Sequence, residues 1–186
     1  MALAFISPSD DPALWRQMLA ERVPDLDFRV WPGEVDDPAA IDAALVWKPE
    51  PGTLARFPNL QVIFSLGAGV DPILADPERP RVPIVRLVDP VLTSQMTEYV
   101  LLAVLYYHRQ WDRYAAQQRR HRWQPLDPPH TPSRRVGLLG LGELGRDAAR
   151  ALAGLGFDVA GWSRTPKGVP GITIFSGADG FRPRLA

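Results

Sequence analysis

The chain has 186 residues, 46% of them hydrophobic and 23% charged, with a formal net charge of +0 and no cysteine. That balance gives no reason to expect a nucleic-acid partner, and the lack of cysteine rules out a disulfide framework and a thiolate nucleophile or metal ligand. The longest uncharged apolar run, Tyr99 to Tyr107, falls far short of the ~20 residues of a membrane-spanning helix, and Met1 to Asp10 lacks a secretory pattern, so a cytoplasmic location is expected.

In chain order, Ala4 to Ile6, Phe28 to Trp31, Ala43 to Trp47, Val62 to Leu66 and Ile84 to Leu87 are short apolar runs separated by more polar stretches. This alternation predicts a parallel sheet with helices on its faces. Six Asp-Pro pairs punctuate the chain, and at Asp11-Pro12, Asp37-Pro38, Asp71-Pro72 and Asp89-Pro90 an apolar segment follows. Asp can cap the orphan N–H groups of a helix, and Pro suits its first position. Trp15, Met18 and Leu19 are the expected buried stripe of the first helix.

From Pro90 to about Arg120 no further proline or glycine interrupts, which predicts one long helix. Its expected packing face includes Met96, Tyr99, Val100, Ala103, Val104 and Tyr107, with Arg109, Arg113, Arg119 and Arg120 towards its negative end. Trp123 to Ser133 then carries Pro125, Pro128, Pro129 and Pro132, a stiff linker. The expected organisation is a substrate domain over 1–89, a helix and linker over 90–133, and a partial dinucleotide domain over 134–186.

The most informative stretch runs from Val136 to Ser163. Val136, Leu138 and Leu139 suit a strand buried on both faces. Gly140, Gly142 and Gly145 follow with the G-x-G-x-x-G spacing of a dinucleotide-binding turn. The first glycine permits a tight reversal, the second lets the backbone approach a pyrophosphate, and the third lets the helix pack against the strand. Glu143 and Leu144 complete the expected cofactor contacts at the start of that helix, whose Ala148, Ala149, Leu152 and Leu155 recur at helical spacing. Gly154 and Gly156 supply its stop before Phe157 to Trp162 resumes as strand, with Ile172 to Phe175 a third candidate.

At the end of the second strand, where an acidic residue would hold the ribose hydroxyls of NAD, the chain reads Trp162-Ser163-Arg164-Thr165-Pro166-Lys167. Arg164 can grip a 2′-phosphate bidentately, Ser163 or Thr165 can donate hydrogen bonds, and Lys167 adds a point charge. NADP(H) is therefore favoured over NAD(H). His108, His121 and His130 carry no local partner pattern and are expected to be solvated.

Leu66-Gly67-Ala68-Gly69-Val70-Asp71, Met96-Thr97-Glu98-Tyr99-Val100, the Gly140 to Gly145 turn, the Trp162 to Lys167 segment and Ala43 to Pro49 together resemble the D-isomer-specific 2-hydroxyacid dehydrogenases, in their glyoxylate/hydroxypyruvate reductase A branch. The resemblance runs over nearly the whole chain. It implies an α/β architecture, with a flavodoxin-like N-terminal substrate domain, a Rossmann dinucleotide-binding domain, a long helix linking them and an active cleft between. It further implies that the backbone N–H groups of Ala68 and Gly69 hold the carboxylate of a small 2-oxo acid. Glycines at 67 and 69 would allow a close, nest-like approach to such an anion. By the same resemblance Trp47 lines the substrate pocket, Met96 lies near the nicotinamide, and the full-length parent forms a homodimer.

Members of this family use an Arg and a Glu-supported His to polarise and protonate the 2-oxo acid, and no residue of this sequence matches them. The Rossmann domain is therefore expected to be incomplete, the chain truncated within it, and the chain alone inactive. Pro183 would obstruct the helix that the family starts near Gly180, and self-association, disorder after about Arg164 or a completing partner is expected. Three readings follow: part of an NADPH-dependent reductase of glyoxylate or hydroxypyruvate, a non-catalytic nucleotide-binding or dimerisation fragment, and a dinucleotide sensor.

Overall fold

The structure is a computed structural model and describes residues 1–178 and 180; the expectation for Pro183 lies outside the described residues. The chain divides into two compact units, Met1–Val88 and the remainder from Asp89.

The first unit holds five strands, β1 (Ala2–Ile6), β2 (Asp27–Val30), β3 (Ala43–Val46), β4 (Val62–Ser65) and β5 (Ile84–Arg86). All pair in parallel, in the order β2-β1-β3-β4-β5. This is the flavodoxin-like order, with its switch point between β1 and β3. Alternate β1 residues serve opposite faces. Ala2, Ala4 and Ile6 join Ile41, Val46, Leu54, Phe57 and Ile63, whereas Leu3 and Phe5 join Phe28, Ala43 and Leu45. Both faces are covered, which is why the strands read as continuous apolar runs rather than as alternating ones.

The first helix, α1 (Pro12–Ala20), is capped by Asp11, whose carboxylate accepts from the N–H of Ala13 at 2.9 Å. Asp37 caps a single 3-10 turn, Pro38–Ala40, in the same way. Trp15 and Leu19 pack on the sheet as expected, but Met18 is 43% exposed, because the short helix presents only a narrow stripe. At α2 (Asp71–Leu74) the expected cap is displaced: the cap position is Val70, and Asp71 lies inside the first turn, where its charge still suits the positive end.

The second unit begins with α3 (Pro90–His108), capped by Asp89 at 2.8 Å from the N–H of Val91. The expected continuous helix is in fact two. Gln110 takes a left-handed conformation (φ 55°), and the chain restarts as α4 (Trp111–Arg119). The expected packing face is also rotated. Thr97, Val100, Leu101, Val104 and His108 form the inward side, while Tyr99 and Tyr107 are 67% and 68% exposed. The run Tyr99 to Tyr107 is apolar on every side of α3 and does not reveal its orientation, and the inward side is set by what α5 (Glu143–Gly154) offers: the Thr97 hydroxyl donates to the Asp147 carboxylate at 2.7 Å.

Strands β6 (Arg135–Leu139), β7 (Asp158–Ser163) and β8 (Thr173–Ser176) form a parallel sheet in sequence order, so a third strand does follow Arg164. Val136, Leu138, Val159 and Ile174 pack with α3 and α5 through Val100, Val104, Ala149 and Leu152. The other face carries Leu139, Trp162 and Phe175 in one cross-strand row. There the expectation of a β6 buried on both faces fails. Leu139 is 63% exposed, because both helices pack on the Val136 side.

Candidate functional site

The glycine turn joins β6 to α5. Gly140 takes φ +103°, a conformation that side chains rarely adopt, and its N–H donates to the Trp162 carbonyl at 2.8 Å, fastening the turn to β7. A Cβ on Gly145 would overlap the Gly140 carbonyl, so only glycine lets α5 start this close to the strand. The α5 cap position is Gly142 and makes no side-chain cap bond. The first-turn N–H groups are thus left for another acceptor, at the positive end of the helix.

A cavity of about 470 Å³ opens beside this turn, lined by Gly140, Leu141, Gly142, Trp162, Ser163, Arg164, Thr165 and Lys167. The sequence-expected residues Gly140, Gly142, Ser163, Arg164, Thr165 and Lys167 are thereby brought together, with two cations and no carboxylate in the lining. Glu143, Leu144 and Gly145 lie in the first turn of α5 and do not line it. The Glu143 carboxylate instead accepts from Arg146 at 2.8 and 2.9 Å. Met96 sits on α3, 38% exposed and also outside the lining.

The roles within the 163–167 loop differ from a uniform set of phosphate donors. Ser163 is buried, and its hydroxyl donates to the Thr165 carbonyl at 2.6 Å, which shapes the loop. Arg164 is exposed and, among the described residues, forms no ion pair. Lys167 donates to the Leu141 carbonyl at 3.0 Å. Leu141 and Trp162 also line the cavity without having been expected to: Leu141 occupies a variable position of the glycine motif, where residue type carries no signal, and Trp162 lies near the end of β7, where it reads only as a strand residue.

In the first unit, the loop Leu66 to Val70 follows the carboxyl end of β4. The Ser65 hydroxyl accepts from the N–H of Gly67 and donates to the Gly69 carbonyl, each at 3.3 Å, which folds the loop over. Among the described residues, the N–H groups of Ala68 and Gly69 make no hydrogen bond, and both residues are exposed. The Trp47 ring lies so close on Gly67 that a Cβ there would overlap it. Its neighbour Lys48, which nothing in the sequence marked out, has a left-handed backbone (φ 44°) and an ammonium 5.3 Å from the ring centroid. Free amides on a glycine loop at the carboxyl end of a parallel strand can donate to a small anion.

His108 corrects the expectation of a solvated histidine. It is 5% exposed, stacks edge-on to Phe157 at 4.9 Å, and its Nε2 lies 3.3 Å from the Thr131 hydroxyl, while Nδ1 has no hydrogen-bond partner among the described residues. Burial, with Arg134 and Arg109 nearby, pushes its pKa below the ordinary histidine value. A histidine so enclosed packs the core and is not an acid available to a substrate.

A parallel α/β fold with a glycine turn against an uncapped helix start defines a dinucleotide-binding protein of the doubly wound class. Residues 101–175 match the D-isomer specific 2-hydroxyacid dehydrogenase NAD binding domain. Glyoxylate/hydroxypyruvate reductase A of Yersinia enterocolitica is 42% identical over 96% of this chain and 58% of its own length. The D-isomer specific 2-hydroxyacid dehydrogenase of Xanthobacter autotrophicus Py2, solved with NADPH and MES, shares 43% identity at a TM-score of 0.83, over 96% of this chain and 58% of that one. The NADPH-dependent glyoxylate/hydroxypyruvate reductase of Sinorhizobium meliloti, solved with NADP and sulfate, shares 37% identity at a TM-score of 0.76, over 97% and 58%. The chain belongs to the D-isomer-specific 2-hydroxyacid dehydrogenase family and spans 58% of the length of these relatives. Among the described residues no helix is long and apolar enough to cross a membrane.

Proposed function

We propose that this chain is the carboxylate- and dinucleotide-binding part of a cytoplasmic, NADPH-dependent reductase of a small 2-oxo acid such as glyoxylate or hydroxypyruvate. The observation that carries the reading is the cavity at the glycine turn, with Arg164 and Lys167 in its lining and no carboxylate. The uncapped N–H groups of α5 hold the diphosphate, and Arg164, exposed and without an ion pair among the described residues, takes the 2′-phosphate that distinguishes NADPH from NADH. When bound, the cofactor supplies a hydride to the carbonyl carbon of the substrate. The amides of Ala68 and Gly69 hold and orient the substrate carboxylate, and Trp47 forms an apolar wall that excludes water beside the loop.

The names and bound ligands of the relatives support this reading: reductases of glyoxylate and hydroxypyruvate, and complexes with NADPH and NADP. Turnover belongs to the full-length parent, which acts as a homodimer. Here His108 is enclosed, and His121 and His130 lie away from the cavity lining, so the chain alone binds without reducing.

Calorimetric titration tests the cofactor assignment. Charge-assisted hydrogen bonds to a phosphate contribute about 1.5–3 kcal/mol, so Arg164→Asp is expected to weaken NADPH binding more than ~10-fold while changing NADH binding little. Equal losses for both cofactors would remove the assignment. Steady-state oxidation of NADPH with glyoxylate tests the separation of binding from turnover; sustained oxidation by this chain would contradict it.

A further inference from the structure

Lys167 belongs to the same loop as Arg164, and from sequence both cations are expected at the 2′-phosphate, the arginine as a bidentate grip and the lysine as a point charge. Their surroundings separate them. The Lys167 ammonium reaches 26 positions back along the chain to the Leu141 carbonyl, 3.0 Å away. That carbonyl lies between Gly140 and Gly142, and it is held in place because the Leu141 side chain is 2% exposed and packed over Gly161. Leu141 and Lys167 both line the cavity.

Two physical consequences follow. A carbonyl oxygen on the wall of a site for diphosphate presents the negative end of a dipole to an anion, and an ammonium bonded to it offsets that repulsion while adding a full positive charge. Fixing a flexible lysine costs side-chain entropy, and a bond formed within the chain meets this cost before any ligand arrives. The diphosphate is common to NADPH and NADH, whereas the 2′-phosphate is not.

We propose that Lys167 is a positioning residue for the glycine turn, serving the diphosphate half of either cofactor, and that discrimination between NADPH and NADH falls to Arg164 alone. This rests on the dinucleotide reading given above. Lys167 ties the specificity loop to the turn and places its charge at the phosphate end shared by both ligands.

The test is calorimetric titration of the intact chain and its Lys167→Met, Lys167→Arg and Arg164→Ala variants with NADPH and with NADH, at two salt concentrations. Lys167 is exposed, so its variants should keep the melting temperature of the parent, which thermal unfolding checks. Lys167→Met is expected to weaken both cofactors by the same factor, about 10-fold, and to flatten the salt dependence of NADH binding, which a change of loop shape alone would leave in place. Lys167→Arg should restore most of both affinities, and Arg164→Ala should weaken NADPH alone. A Lys167→Met loss confined to NADPH would make the lysine a 2′-phosphate ligand and overturn the proposal, as would no loss for either cofactor. If the unsubstituted chain binds neither, the dinucleotide reading itself falls, and this inference with it.

Discussion

At the scale of single residues, burial separates side chains that look alike in the sequence. His108 and His121 lie close together in the chain, yet only the first closes the inward stripe of α3, and the spacing Thr97, Val100, Leu101, Val104, His108 is the signal that could have found it. A histidine whose folded pKa is depressed binds its proton more readily when unfolded, so its effect on stability is absent well above about pH 6.5 and grows as pH falls below that value. His108→Phe keeps a ring against Phe157 without a titrating group. The parent is therefore expected to lose stability relative to this variant between pH 7.5 and pH 5, measured as the difference in melting temperature at each pH. A difference independent of pH would contradict the buried, unpaired assignment of Nδ1.

At the scale of elements, the strands and the glycine turn were legible because their signals are local. The runs at Ala4, Phe28, Ala43, Val62 and Ile84 became the five strands of the first sheet, and the spacing of Gly140, Gly142 and Gly145 fixed the strand, turn and helix around it. What was not legible depended on neighbours. The run Tyr99 to Tyr107, apolar on every side of α3, does not disclose which side faces inward, and no sequence signal marked Gln110 as the left-handed break between α3 and α4. Two substitutions probe these junctions. Thr97→Val leaves the Asp147 carboxylate without its 2.7 Å donor and should cost about 1–3 kcal/mol in urea unfolding. Gly145→Ala forces a methyl against the Gly140 carbonyl and should cost about 1–3 kcal/mol while also weakening dinucleotide uptake. Unchanged stability in the second variant would mean that α5 is not held against the turn as described.

At the scale of the whole molecule, each unit places a glycine loop on the same kind of scaffold, after β4 of one parallel sheet and after β6 of the other. The flavodoxin-like order of the first sheet was implied by resemblance rather than by pattern, since periodicity reports burial but not strand sequence within a sheet. The exposure of Leu139, beside Trp162 and Phe175, was likewise invisible in a run of apolar residues. The chain spans 58% of the length of relatives named as reductases, and the function proposed for it is binding, with the Ala68–Gly69 loop taking a carboxylate and the glycine turn a dinucleotide. The most direct test of this account is calorimetric titration of NADPH into the intact chain, with backbone amide resonances followed in parallel. Saturable 1:1 uptake is expected, with the largest shifts at Gly140 to Gly145 and at Ser163 to Lys167; no heat of binding, or shifts confined to other residues, would contradict it.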